Sequence, residues 1–167
     1  ENMTKRREFI KKSAIGTAGI AIGGLGLSSR AYSAIQGAND RINLALIGIR
    51  NQGSVHINEW CALNKSHNVA LTTLCDTDEL LFGSRSKMVA DKTGLKPKTE
   101  WDIHKVLSDP EINAVSIVVP NHWHALATIW ACQAGKNVYI EKPACHNIFE
   151  GRKMVEAARK YNVLVQV

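Results

Sequence analysis

Four groups of residues in this sequence have types and spacings suited to chemistry. The first, Gly48-Ile49-Arg50-Asn51-Gln52-Gly53, follows an apolar run and opens a helical pattern. Glycines at the ends of such a turn permit a sharp bend and close helix packing, and the free amides of a helix start attract an anion. A dinucleotide-binding turn carries a further glycine where this chain has Arg50. That side chain either supplies compensating charge to phosphate or pushes phosphates outward. The plainer alternative is a strand-to-helix turn whose glycines only relieve backbone strain. The second group centres on Asp76 in Leu74-Cys75-Asp76-Thr77-Asp78, 23 residues after Gly53. An acid at that distance accepts hydrogen bonds from the hydroxyls of an adenosine ribose. Its charge would repel a 2′-phosphate, so NAD is expected over NADP, while Asp78 is expected to cap the next helix. The third and fourth groups are Pro120-Asn121-His122-Trp123-His124 and Glu141-Lys142-Pro143.

These groups fall at the ends of strand-like segments. Runs rich in Val, Ile and Leu lie at Ile42–Ile47, Val69–Leu74, Ala114–Val119, Val138–Ile140 and Val163–Val167. They lack strict alternation, as strands buried on both faces of a parallel sheet do. Helical patterns occupy Ser54–Leu63, Glu79–Thr93, Ile103–Leu107, Ala125–Ala134 and Ile148–Tyr161, with a short extra strand expected near Lys98–Trp101. Repeated strand–helix units with right-handed crossovers make an α/β, doubly wound parallel sheet. Such a sheet binds ligands beyond the carboxyl ends of its strands, where the strand order reverses.

With Asp76, the ordered pair of motifs Pro120-Asn121-x-x-His124 and Glu141-Lys142-Pro143 resembles the glucose–fructose oxidoreductase/inositol dehydrogenase/MocA family. The resemblance covers residues 42 to 167, that family's N-terminal Rossmann domain. It implies that Lys142 sits between nicotinamide and the reacting carbon, where a lysine can polarise or deprotonate a hydroxyl. It also implies that Glu141 binds the nicotinamide riboside end, with Pro143 completing that motif. Pro120 and Asn121 would pass beneath the cofactor, with His124 ending their motif. The implied cofactor contacts are therefore Gly48, Ile49, Arg50, Asn51, Gly53, Asp76, Pro120, Asn121, His124, Glu141, Lys142 and Pro143, with Lys142 catalytic. His122, His124 and His146 lack the Cys or acidic partners of a zinc site, so no metal is expected. Trp123 and Trp130 are expected to pack as core or interface aromatics.

The start of the chain is different in character. Thr4-Lys-Arg-Arg-Glu-Phe-Ile-Lys-Lys12 precedes an uncharged, glycine-rich run to Ser29 and small residues at Ala31–Ala34. This is similar to a twin-arginine export signal, with Lys5 at the usual Ser/Thr position and Ile10 for Leu. The expected organisation is a signal peptide over 1–34 and the nucleotide-binding domain over 35–167. It implies the twin-arginine machinery as a partner and a periplasmic location, with no lipoprotein cysteine ahead of Cys61. Residues 1–34 hold six basic and two acidic side chains, so the remainder carries 15 basic and 13 acidic ones. That near balance leaves no basic stripe for nucleic acid. Cys61, Cys75, Cys132 and Cys145 have no disulfide or zinc spacing and read as small buried hydrophobes.

The family's second α/β domain, which supplies substrate contacts, is expected to be missing, so this fragment should be inactive alone. Three functions follow for the full-length protein. The first is hydride transfer between NAD and a sugar, cyclitol or related polyol, by an enzyme expected to be homo-oligomeric. The second is an NAD-dependent glycoside hydrolase working by transient oxidation and elimination. The third is a non-catalytic nucleotide-binding module.

Overall fold

The computed structural model describes residues 41–167, so the leader expected over 1–34 lies outside the described residues. The order of elements is β1 (Ile42–Ile47), α1 (Asn51–Ser66), β2 (Val69–Cys75), a 3-10 turn (Glu79–Leu81) leading into α2 (Phe82–Thr93), β3 (Lys98–Glu100), α3 (Ile103–Ser108), β4 (Ala114–Ile117), α4 (Asn121–Gln133), β5 (Asn137–Ile140), α5 (Ile148–Tyr161) and β6 (Val165–Gln166). The strands form one sheet in the order β3-β2-β1-β4-β5-β6, and every pairing is parallel. The chain builds outward from β1 to β3, then returns to the other side of β1 with β4. This is the doubly wound Rossmann arrangement, and the reversal lies between β1 and β4.

The continuous apolar runs are explained by burial on both faces. Ala45 and Ile47 of β1 join one core with Val115, Ile117, Ala131 and Met154, whereas Leu44 and Leu46 join the other with Ile57, Leu71, Leu74 and Val89. Alternate residues of a strand point to opposite faces, so each must be apolar when helices cover both. Fully burying one such Leu or Ile stabilises the fold by roughly 1.5–3 kcal/mol. Helices α1 and α4 begin earlier than their apolar periodicity, at Asn51 and Asn121 rather than Ser54 and Ala125. The first turn of α1 is polar, and that of α4 is polar apart from Trp123, so neither carries an apolar period. Strand β6 is shorter than its apolar run because only Val165 and Gln166 pair with β5. On α5, the Asn147 side chain accepts from Glu150 N at 2.9 Å and the Glu150 carboxylate accepts from His146 N at 2.8 Å, which sets the start of the helix.

Cys61, Cys75 and Cys132 are buried, Cys145 is half-buried, and all four are unpaired. Burial, reinforced by neighbouring carboxylates, pushes the Cys75 thiol up to about 12, so it behaves as a small hydrophobe. Among the described residues one lysine is also buried. Lys136 Nζ donates to the carbonyls of Asp109 and Ile112, each at 2.7 Å, and fastens the loop that leads into β4. Burial pulls its ammonium below the ordinary lysine value, against the opposing pull of Asp109. Lys136→Met removes both donors while keeping the apolar stem. The urea midpoint should fall by the equivalent of ~2 kcal/mol, since buried carbonyls lose their partner.

Candidate cofactor and active site

The parallel register brings the chemical groups to one edge of the sheet. Ile47 pairs with Cys75 on one side and Ile117 on the other, and Ile117 pairs with Ile140. The ladder runs on for one more bond: Gly48 N donates to Cys75 O at 2.8 Å, Val118 N to Ile47 O at 2.8 Å, and Glu141 N to Ile117 O at 3.0 Å. Gly48, Asp76, Val118 and Glu141 therefore stand in a row just past the strand ends. A groove of about 640 Å³ opens along this edge at the reversal of strand order. That is within the usual size of a small-molecule or cofactor site.

The glycine turn floors the groove. Gly48 has φ +92°, and a Cβ there would stand 2.5 Å from Val118 O; a Cβ on Gly53 would stand 2.2 Å from Gly48 O. Both contacts are with backbone, so neither position has room for a side chain. Helix α1 starts with no side-chain cap and no acidic residue in its first turn. Its positive end and unpaired amides are left for an anion. Asn51 lines the groove beside them. Arg50 is exposed on the groove wall and ion-paired with Asp78, so its charge is already matched. Ile49 is buried, and its backbone is pinned from two sides. Its N–H donates to Asp76 Oδ2 at 2.8 Å, and its carbonyl accepts from Arg85 Nε at 2.9 Å.

Asp76 is thereby held on the groove wall. Its second oxygen accepts from Asp78 N at 2.9 Å, yet each carboxylate oxygen retains a lone pair for a ribose hydroxyl. Asp78 caps the 3-10 turn by accepting from Leu80 N at 3.2 Å, as the sequence suggests.

The later motifs divide between wall and support. Pro120 lines the groove, whereas Asn121 opens α4 as an exposed residue off the lining. His124 is buried behind the wall, with Nε2 2.8 Å from Val119 O and Nδ1 2.6 Å from Pro143 O. Its ring lies between the two motif loops, within hydrogen-bond distance of one carbonyl from each. Pro143 itself is exposed and follows a cis peptide bond. Trp123, expected as a core or interface aromatic, is 46% exposed, lies 6.3 Å from the Trp130 ring between centroids, and stands on the groove wall with Trp101 and Trp130. Together they offer aromatic faces suited to a flat ring. His122 is exposed beside Trp123, and among the described residues no group of three His, Cys, Asp or Glu side chains gathers as metal ligands.

Glu141 lies beyond the groove lining, at the end marked by Gln52. Its Oε1 accepts from His56 Nε2 at 3.0 Å and Gln52 Nε2 at 3.3 Å, and Oε2 accepts from Lys142 N at 3.0 Å. The His56 bond is the main reason its carboxyl is held below the usual glutamate range, and partial burial opposes it. The Lys142 side chain is exposed, and none of the described ion pairs engages its ammonium. Gln52, His56, Arg85 and Trp101 were not evident from motif spacing. Gln52 and His56 do carry one signal, since four residues apart on α1 they share a face.

Comparisons with known proteins agree on the fold and the family. A family model described as oxidoreductase family, NAD-binding Rossmann fold, matches residues 42–167. The chain belongs to this family. Among solved structures it is similar to an NAD binding oxidoreductase from Klebsiella pneumoniae, at 30% identity and TM-score 0.64 over 76% of this chain and 34% of that one. It is also similar to myo-inositol 2-dehydrogenase from Lactobacillus plantarum, at 26% identity and TM-score 0.63 over 76% of this chain and 36% of that one. A glycosyl hydrolase family 109 protein from Shewanella pealeana is 27% identical over 93% of this chain. The chain spans 37% of the length of that curated relative.

The family and the groove make NAD the cofactor, and the pinned carboxylate of Asp76 should decide against a 2′-phosphate. Titration of the protein with both cofactors should give about tenfold or tighter binding of NAD than NADP, a difference of about 1.4 kcal/mol or more. Asp76→Ser should narrow that difference.

Proposed function

We propose that the full-length protein transfers a hydride between NAD and a sugar, cyclitol or related polyol, with Lys142 as the acid–base group. The observation that carries this reading is the row of strand ends. A glycine turn with no room for a Cβ, a ribose acid and a Glu-Lys-Pro loop share one edge of the sheet. These residues fit NAD: the uncapped start of α1 would take the pyrophosphate, Asp76 the adenosine ribose, and the tryptophan wall the adenine. NAD, when bound, supplies the two-electron acceptor for a hydride leaving a carbinol carbon. Glu141 binds the riboside end, and Lys142 Nζ takes the proton of the substrate hydroxyl as that carbon becomes a carbonyl. In the reverse direction the same ammonium returns the proton to the carbonyl oxygen.

A second reading is an NAD-dependent glycoside hydrolase. It is supported by the likeness to the family 109 protein, which covers more of this chain than residues 42–167. In that chemistry, oxidation of one carbinol carbon acidifies the neighbouring C–H, the glycosidic bond leaves by elimination, water adds back, and the carbonyl is reduced again. The two readings differ in stoichiometry. The dehydrogenase forms one NADH per substrate turned over, whereas the hydrolase cleaves glycoside with no net NADH.

Under either reading Lys142→Ala in the full-length enzyme should lower turnover about 10²–10⁴-fold while NAD binding is largely kept. Unchanged turnover, followed by NADH absorbance and by released sugar, would remove Lys142 from the mechanism.

The leader residues Thr4–Lys12 extend the proposal to export of the folded, NAD-loaded protein into the periplasm by the twin-arginine route. That route suits a cofactor scarce outside the cytoplasm. Replacing Arg6 and Arg7 together by Lys should strand the precursor in the cytoplasm, as cell fractionation would show; efficient export of the variant would count against the route.

A further inference from the structure

We propose that His56 is a positioning residue for Glu141, holding that carboxylate in place to grip the nicotinamide riboside half of NAD. The proposal rests on the reading of Glu141 given above. His56 lies on the sheet-facing side of α1 and is only 7% exposed. Its ring stands between two polar partners and nothing else that can hydrogen-bond it. Nδ1 is 3.1 Å from Ser116 Oγ, and Nε2 is 3.0 Å from Glu141 Oε1. Ser116 is fully buried on β4, so its hydroxyl has no water to turn to.

The inventory of donors assigns the proton. An ionised carboxylate only accepts, so the nitrogen facing Glu141 must carry a hydrogen. In the neutral ring Nδ1 then keeps its lone pair and accepts from the Ser116 hydroxyl. The chain Ser116 → His56 → Glu141 runs from the interior of β4, through α1, to the first residue beyond β5. The Tyr139 ring closes one side of the imidazole, at 5.7 Å between centroids, and leaves little freedom to rotate. Gln52, one turn earlier on the same helix face, reaches the same carboxylate oxygen and also lines the groove. Helix α1 therefore presents its N-terminal amides toward the phosphates and its inner face toward Glu141. One rigid element sets both ends of the site.

Nothing in this arrangement makes Ser116 a nucleophile, since its oxygen is sealed from solvent and the acid of the chain faces outward. The direction of the chain favours orientation of Glu141.

The test compares His56→Leu and His56→Gln with the wild type in the full-length protein, using NAD and ADP as separate probes. ADP lacks the nicotinamide riboside, so it reports on the glycine turn and Asp76 alone. His56→Leu should weaken NAD binding about 10-fold, the effect of losing a hydrogen bond to a charged group, and leave ADP binding unchanged. His56→Gln, whose amide still donates toward Glu141, should recover most of the loss. The Glu141 carboxyl, followed by carbon NMR, should rise toward the ordinary glutamate value in the Leu variant and stay lowered in the Gln variant. Equal loss of NAD and ADP affinity in both variants would make His56 merely structural and overturn the proposal, as would unchanged NAD affinity in His56→Leu. Wild-type protein that binds ADP but gains nothing from the nicotinamide riboside would instead overturn the assigned role of Glu141.

Discussion

Between the end of β1 and the start of α1 the backbone passes so close to itself and to β4 that neither Gly48 nor Gly53 has room for a Cβ. Added methyl groups would meet the carbonyls of Val118 and Gly48 at 2.5 and 2.2 Å. This crowding is the condition for everything at the carboxyl edge. It seats α1 against the sheet with its amino end at the groove. It also lays the turn beside β2, where Asp76 can reach Ile49 N–H. A looser turn would lift the helix, and with it Gln52 and His56, away from Glu141.

Apart from Lys142, the charged groups of the site are held by bonds within the fold. Arg50 in the glycine turn is paired with Asp78, which leaves the amides and dipole of α1 as the turn's unmatched positive groups. The Asp76 carboxylate is held on the groove wall by two backbone N–H donors. That of Glu141 is held by His56, Gln52 and a backbone amide. Among the charged motif residues Arg50, Asp76, Asp78, Glu141 and Lys142, only Lys142 is exposed without a partner among the described ion pairs or hydrogen bonds of its side chain.

His124 shows how a motif residue can matter without touching ligand. Its two nitrogens face carbonyls from the loops after β4 and β5, and so couple the Pro-Asn turn to the Glu-Lys-Pro loop. His56 does the same between α1 and the end of β5. Two buried imidazoles thus hold three separate segments in register at one edge.

The sequence by itself determined the order of strands and helices, because two-sided burial in a parallel sheet demands unbroken apolar runs and turns between them. It also determined which residues stand at the strand ends: Gly48, Asp76, Pro120 and Glu141 are each one to three positions past a run. Helix starts were less legible, since the first turns of α1 and α4, polar apart from Trp123, have no apolar period. The supporting cast was left to the tertiary structure. Spacing along the chain says nothing of which side chain from α1 meets which residue beyond β5, separated by more than eighty positions. It equally left Trp123 open between core and interface, and the packing of α4 set it on the groove wall. Contacts of that kind depend on how helices lie against the sheet, and only the packed fold decides them.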